Sequence, residues 1–296
     1  MKQALTDKES LLTVLNYSGG QQSSCILWMV LRGVIPRPEN FLVMNADPGM
    51  ENSSTYRYNV LMFEECRKAG IPALTAPGPN LYKDLIELHK TKKIRIDNPP
   101  YWTKDRSSGK RGRLMQKCTR EYKVAPMDRA IRAYLKSEFG VENKLRPGLV
   151  KKWIGFSFDE VHRIKPSVQK YIDFEYPLVD LRMRKMDVIK WFEEQQLPIP
   201  PRSVCNACFA NGVHTFKKMA QERPEDFQKA KLVDESIRDL SQVGVVDEVF
   251  VSHELMSLSQ LEANGFERPE LQMPLPGFSA VGDADDWGCD SGYCFV

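Results

Sequence analysis

The chain lacks an excess of either charge, a long uninterrupted apolar run, and any internal repeat. Each absence removes a class of protein. With 42% hydrophobic and 27% charged residues and a net charge of only +3, disordered, collagen-like and fibrous chains are excluded. The first segment offers just a five-residue apolar stretch, too short for the core of a signal peptide. Residues 10–31 carry no charge, yet Asn16, Ser18, Gly19, Gly20, Gln21, Gln22, Ser23 and Ser24 break them, so a membrane span is rejected. Cysteine is sparse and odd in number, seven in all, which in a chain without a secretory signal points to the cytoplasm. Metal, cluster or redox roles then come ahead of structural disulfides. A length of 296 residues suits one large α/β domain with an appendix and leaves room for a substantial core.

The small net charge is a cancellation. From Lys90 to Lys123 twelve Lys/Arg face three acids, a local balance of +9 that leaves −6 for the remainder. Residues 263–296 hold six acids against Arg268 and supply most of that deficit. A basic insert (90–117) and an acidic tail therefore stand apart on the chain.

Strand-like and helix-like patterns alternate through the first half. Residues 11–17, 41–46 and 71–77 read as buried strands, followed by helices at 23–32, 54–69 and 81–89. Such alternation predicts a parallel sheet covered by helices on both faces, with its binding crevice at the carboxyl ends of the strands. Residues 91–117, with Pro99-Pro100, Ser107-Ser108-Gly109 and Gly112, read as a long basic loop. Helix resumes at 119–139, a strand is expected at 153–158 and a helix at 183–196. Pro198, Pro200 and Pro201 mark a boundary, which suggests a nucleotide-binding domain over 1–200 and a mostly helical extension with an acidic tail over 201–296.

Between the first strand and first helix lies Ser18-Gly19-Gly20-Gln21-Gln22-Ser23-Ser24. Helix N-terminal amides can cradle phosphate there, the glycines allow close approach, and Ser18 and Ser23 add hydroxyl donors. The loop is neither a Walker A sequence nor G-x-G-x-x-G, since the required spacing and lysine are missing. Asp47 and Glu51, ending the second strand, are placed for nucleotide hydroxyls or a metal; an N-terminal helix pair favoured by the helix dipole is the plainer reading. Arg120, Lys123 and Arg163 suit phosphate or sulfate, Glu160 suits orienting Arg163, and His162 is the nearest candidate general base. Tyr101 and Trp102, set among the charges of the 90–123 segment, suggest a nucleic-acid surface that grips phosphates and stacks bases; a solvated loop is the competing reading.

Together these segments resemble the PP-loop superfamily, the ATP pyrophosphatases and phosphoadenylyl-sulfate (PAPS) reductases. S-G-G-x-x-S matches the loop, and Asn45-Ala46-Asp47-Pro48-Gly49-Met50-Glu51 is similar to the D-T-G-x-E turn. Cys118-Thr119-Arg120-Glu121-Tyr122-Lys123-Val124-Ala125-Pro126 resembles the reductase C-C-x-x-x-K-x-x-P segment, and residues 155–163 its G-x-x-x-x-E-x-x-R element. Cys205-x-x-Cys208 completes the ordered series over roughly 11–210. The resemblance implies a HUP-like α/β/α sandwich that binds ATP or adenylyl-sulfate through Ser18 to Ser23, Asp47, Glu51, Arg120, Lys123 and Arg163.

It also implies that Cys118, Cys205 and Cys208 bind a [4Fe–4S] cluster with one open iron. Zinc with His214 as fourth ligand, or plain reduced thiols, are the alternatives. Cys294 in the tail could act as a reductase's terminal cysteine does, although Asp285, Asp286 and Asp290 around it would make it a poorer thiolate. Three departures stand out: Gln22 replaces the Asp of S-G-G-x-D-S, which leaves Mg²⁺ to other ligands; Cys118 stands alone where cluster-bearing reductases have a pair of cysteines; and the reductases' E-C-G-L-H ending is missing. The leading expectation is ATP cleavage between the α and β phosphates, coupled to sulfur transfer or nucleic-acid modification. A thiol-dependent reductase of adenylyl-sulfate, and a non-catalytic nucleotide- or nucleic-acid-binding subunit, are the alternatives.

Overall fold

The computed structural model describes residues 10–87, 99–143 and 145–267. The acidic tail with Cys289 and Cys294, and Lys90, Lys92, Lys93 and Arg95 of the basic insert, lie outside the described residues.

Five parallel strands form the main sheet: β1 (Leu12–Asn16), β2 (Phe41–Ala46), β3 (Ala73–Ala76), β6 (Val150–Ile154) and β7 (Ile172–Glu175), in the order β3-β2-β1-β6-β7. β1 is central, with Asn16 in register with Met44 on one side and Ile154 on the other. The order reverses between β1 and β6, so a crevice opens at their carboxyl ends. Both faces are covered, which is why β1 and β2 are almost wholly apolar and buried. On one face Leu15, Tyr17 and Val43 pack with Ile26 of α1 (Gln21–Leu31), Met62 of α2 (Ser53–Lys68) and Phe192 of α6 (Lys185–Glu194). Leu178 of the short α5 (Pro177–Asp180) joins them. On the other face Val14, Leu42 and Met44 pack with Ile131 and Leu135 of α4 (Ala125–Phe139).

A second core lies beside the sheet. It joins α3 (Leu81–Ile86), α7 (Val213–Glu222), α8 (Pro224–Ser236) and α9 (Leu258–Ala263) to a three-stranded antiparallel sheet. That sheet is β5-β4-β8, made of β4 (Trp102–Lys104), β5 (Arg111–Arg113) and β8 (Glu248–Phe250). The expected loop over 91–117 is thus corrected within its described part. Asp105 accepts hydrogen bonds from the amides and hydroxyls of Ser107 and Ser108, closing the β4–β5 turn. These bonds hold its carboxyl far below the ordinary carboxylate range. The strands are short and basic, so no apolar alternation advertises them.

Two further differences have local causes. The expected strand at 153–158 begins earlier, at Val150, because Lys152 is buried within it and its ammonium meets Asp128 at 3.4 Å. The expected helix from 119 carries a π turn over Arg120–Val124 before α4. Pro126, which lacks an amide hydrogen, sits in the first turn of α4, where such a bulge accommodates it. Among the described residues no helix is long and apolar enough to cross a membrane.

Candidate functional site

The phosphate loop turns between β1 and α1. Gly19 has φ +77, and a Cβ there would lie 2.1 Å from Asn59 Oδ1, so only glycine fits. Gly20 is the extended residue before α1 and gives it no side-chain cap; no acid occupies the first turn. The helix itself supplies no acceptor for its first amides, which leaves them and the positive end of the helix for an anion. Ser18 and Ser23 brace the turn: their hydroxyls lie 3.1 Å apart, Ser23 Oγ accepts the Ser18 amide at 3.2 Å, and Ser18 Oγ accepts the Gly20 amide at 3.2 Å. Gly155, after β6, backs onto the loop so closely that a Cβ would lie 2.8 Å from the Ser23 nitrogen.

A cleft of about 230 Å³ opens in front of this turn. Arg163, Lys185 and Arg202 bring three cationic side chains to its wall, while among the described residues Glu160 is the only acid lining it. Glu160 is 3% exposed and fully engaged. It accepts Ser157 N–H and O–H at 3.2 and 2.9 Å, Gln22 Nε2 at 3.1 Å, and Arg163 Nη1; Lys185 Nζ lies 3.6 Å away. A carboxylate so occupied is a positioning group, not a base. Arg163 stacks over Phe156, its Cζ 4.2 Å from the ring centroid. Its Nε and Nη2 are buried and meet no acceptor. Buried guanidinium hydrogens without partners are costly, and an anion in the cleft would satisfy them.

A smaller hollow of about 100 Å³ shares Asn16, Ser18 and Ile154 with the cleft. Its walls include Val124, Met127, Ile154, Pro166, Val168 and Phe174. Here the cations are neutralised. Lys123 Nζ lies 2.8 Å from Glu51, which also accepts Ser203 Oγ at 3.2 Å, and Lys152 pairs with Asp128. Burial works against the Lys123 ammonium, but Glu51 and the neighbouring thiols outweigh it and hold its pKa above the ordinary value. At Lys152 burial prevails over Asp128 and lowers the pKa.

Several expected site residues are placed differently. His162 is exposed and lines neither hollow, because the 3₁₀ turn Phe158–Arg163 directs Glu160 and Arg163 inward. Arg120 is exposed on the π turn and also lines neither. Asp47 accepts the Gly49 amide and the Tyr56 hydroxyl, each at 2.7 Å, so it fastens the turn after β2. Tyr101 is 1% exposed in the second core and is not available to stack on a base. Ser18, Gly20, Gln21, Gln22, Ser23, Glu160 and Arg163 do come together at the cleft. Lys185, Arg202 and Ser203 join them without any motif to announce them. Ser157, three residues before Glu160, was legible as a capping box.

Cys118, Cys205 and Cys208 lie in one neighbourhood, close enough for their charges to interact, beside Lys123 and Glu51. Burial pushes the Cys205 thiol well above its usual range and Cys208 up to about 12. Among the described residues, however, no group of three or more His, Cys, Asp or Glu side chains is arranged to hold a metal ion. His214, the expected fourth zinc ligand, is exposed in the first turn of α7. Among the described residues the three thiols are thus not arranged as a cluster or zinc site.

The chain matches no protein-family model and no curated protein. Among solved structures it is similar to the U34-tRNA thiolase NcsA from Methanococcus maripaludis with its [4Fe-4S] cluster, at 12% identity and a TM-score of 0.40. That alignment covers 89% of this chain and 85% of the thiolase. It is also similar to an NH3-dependent NAD synthetase from Campylobacter jejuni subsp. jejuni, at 13% identity and a TM-score of 0.32, over 90% of this chain and 91% of the synthetase. Likenesses at this level assign neither site nor activity.

Proposed function

We propose that the chain is an adenine-nucleotide-binding enzyme of the PP-loop type, which cleaves ATP between its α and β phosphates and passes AMP to an acceptor. The observation that carries this reading is Arg163, a guanidinium in the wall of the cleft before the Ser18–Ser23 turn, two of whose buried nitrogens meet no acceptor. Backbone amides at the start of α1, the two serine hydroxyls and a guanidinium edge form a donor set for a polyphosphate. The adjoining apolar hollow, joined through Asn16, Ser18 and Ile154, suits the adenine ring.

The chemistry follows from that placement. An acceptor lone pair forms a bond to the α phosphorus. The bond from that phosphorus to the α–β bridging oxygen breaks, its electron pair leaves with pyrophosphate, and the acceptor proton goes to solvent. The helix amides, Ser18, Ser23 and Arg163 stabilise charge growing on the leaving group, and fixed donors of this kind are usually the main source of rate enhancement. Glu160 holds Arg163 and Lys185 in place. The carboxylates give magnesium no ready seat, because Glu160, Glu51 and Asp47 are each engaged and Gln22 stands where the family has Asp. Reduction of an adenylyl-sulfate would need a thiol at the cleft; among the described residues no cysteine lines either hollow, and Cys294, the expected nucleophile, lies outside them.

Incubation with α-labelled ATP tests the reading. Labelled AMP and pyrophosphate are expected from the native chain, with loss of both in Gly19→Val and strong reduction in Arg163→Met. Turnover that survives both substitutions would move the site elsewhere.

A further inference from the structure

The three-stranded sheet has one face in the second core; on its other, open face cations lie over aromatic rings, with Trp102 half-buried and Phe250 buried beneath them. Strand alternation sets Thr103 and Val249 inward, where both are buried. Trp102 and Lys104 then share the opposite face with Arg113 and Arg111, their cross-strand neighbours, and with Phe250 and Glu248 of β8. The guanidinium groups of Arg111 and Arg113 each lie 5.7 Å from the Trp102 ring centroid. Arg238 covers Phe250 at 3.7 Å, and His253 meets Trp102 edge-on at 5.3 Å. The indole is fixed, since its N–H donates to the Phe209 carbonyl at 3.0 Å.

Several acids accompany the cations here, Asp105 of the hairpin turn among them. Glu248 lies on this face, Asp239 meets Arg106 at 3.4 Å, Glu254 meets His253 at 3.3 Å, and Asp234 holds Arg238. Arg111 and Arg113 themselves are exposed. Lys104, Arg106 and Lys110 extend the positive edge along the hairpin.

We infer that this open face binds an unpaired stretch of nucleic acid, with phosphates on Arg111, Arg113 and Lys104 and bases stacked on the arginine–tryptophan layer. Guanidinium planes over an indole offer both interactions at once, charge for the backbone and a flat polarizable surface for bases. The site is not remote from the cleft. Arg113 also lies over the Phe209 ring at 5.7 Å, Phe209 follows Cys208, and Cys205 bridges to Glu51, whose partner Ser203 lines the cleft. As the acceptor of AMP this partner rests on the function proposed above; as a bound ligand it stands without it.

The test is anisotropy of a labelled single-stranded oligo-uridylate titrated with the full chain at several salt concentrations. The same strand in duplex form and polyglutamate serve as competitors. Arg111→Gln/Arg113→Gln is expected to weaken single-strand binding at least ~10-fold and to reduce the salt slope by about 1.4, near 0.7 per lost phosphate contact. Trp102→Leu is expected to weaken binding several-fold with the slope unchanged, since stacking carries no counterion release. Thermal unfolding of each variant separates misfolding from lost contact. Polyglutamate competing as well as the single strand, or a well-folded Arg111→Gln/Arg113→Gln chain that binds normally, overturns the inference. ATP affinity measured on the same variants is expected to stay within two-fold, so failure of the nucleotide reading would appear separately.

Discussion

The two hollows at the ends of β1 and β6 share three residues and differ in their charge state. In the larger, Arg163 keeps two N–H groups unpaired against a single acid that is already saturated. In the smaller, both lysines have carboxylates beside them and most of the wall is hydrocarbon. The first is therefore prepared for an anion, and the second for a flat apolar group with polar edges. The nucleotide proposed above combines both characters, an anionic polyphosphate and a flat ring with polar edges.

The largest way to break the contrast is to remove its hub. Glu160→Ala leaves the buried Arg163 guanidinium without its carboxylate. It should cost about 3–5 kcal/mol of stability, as breaking a buried pair does, read as a fall in the denaturation midpoint. Glu160→Gln, which keeps a hydrogen-bonding oxygen, should recover part of that loss. Next comes the backing of the loop: Gly155→Val drives a side chain into the Ser23 amide, and turnover should fall about 100-fold with the fold intact. Equal turnover would show that the turn is not held from behind.

On the apolar side the effects should be smaller. Lys152→Met removes an ammonium whose burial is already unfavourable, and the Asp128 carboxylate left behind is 19% exposed and can be hydrated, so stability should change by no more than about 1 kcal/mol. The pH dependence sharpens this. The folded-state pKa of Lys152 is lowered, so the cost of its charge is fully present below that value. As pH rises from there toward the unfolded lysine value of about 10.4, the unfolded chain holds more protons and the native protein gains stability relative to Lys152→Met. A constant difference between the two across that window would remove the buried-charge explanation. Smallest of all, Cys25 and Cys66, both pushed up to about 12 by burial, should resist a thiol reagent at neutral pH until the chain unfolds.

Much of the frame was legible before the structure. β2 falls on residues 41–46 as expected, and β1, α1 and α2 differ from their expected bounds by one or two residues. Buried parallel strands announce themselves through unbroken apolar runs, and Ser18 to Ser23 sit where a strand meets a helix. What stayed hidden depended on distant partners. Lys152 disguised β6 because nothing nearby in sequence reveals Asp128 as its counterion. The basic segment read as loop because its third strand arrives from residue 248, far along the chain. Residue type suggests Arg120 as a phosphate ligand, His162 as a general base and Tyr101 as a base-stacking ring. Helical geometry turns the first two away from the cleft, and the second core takes Tyr101.

The central claim is that the cleft before α1 holds the polyphosphate through the free edge of Arg163. Calorimetric titration of the native chain and Arg163→Met with ATP, pyrophosphate and AMP tests it most directly. ATP and pyrophosphate are expected to bind about 10- to 100-fold more weakly to the variant, the range for a lost charged hydrogen bond, while AMP affinity hardly moves. An equal loss for all three ligands, or no loss for pyrophosphate, would contradict it.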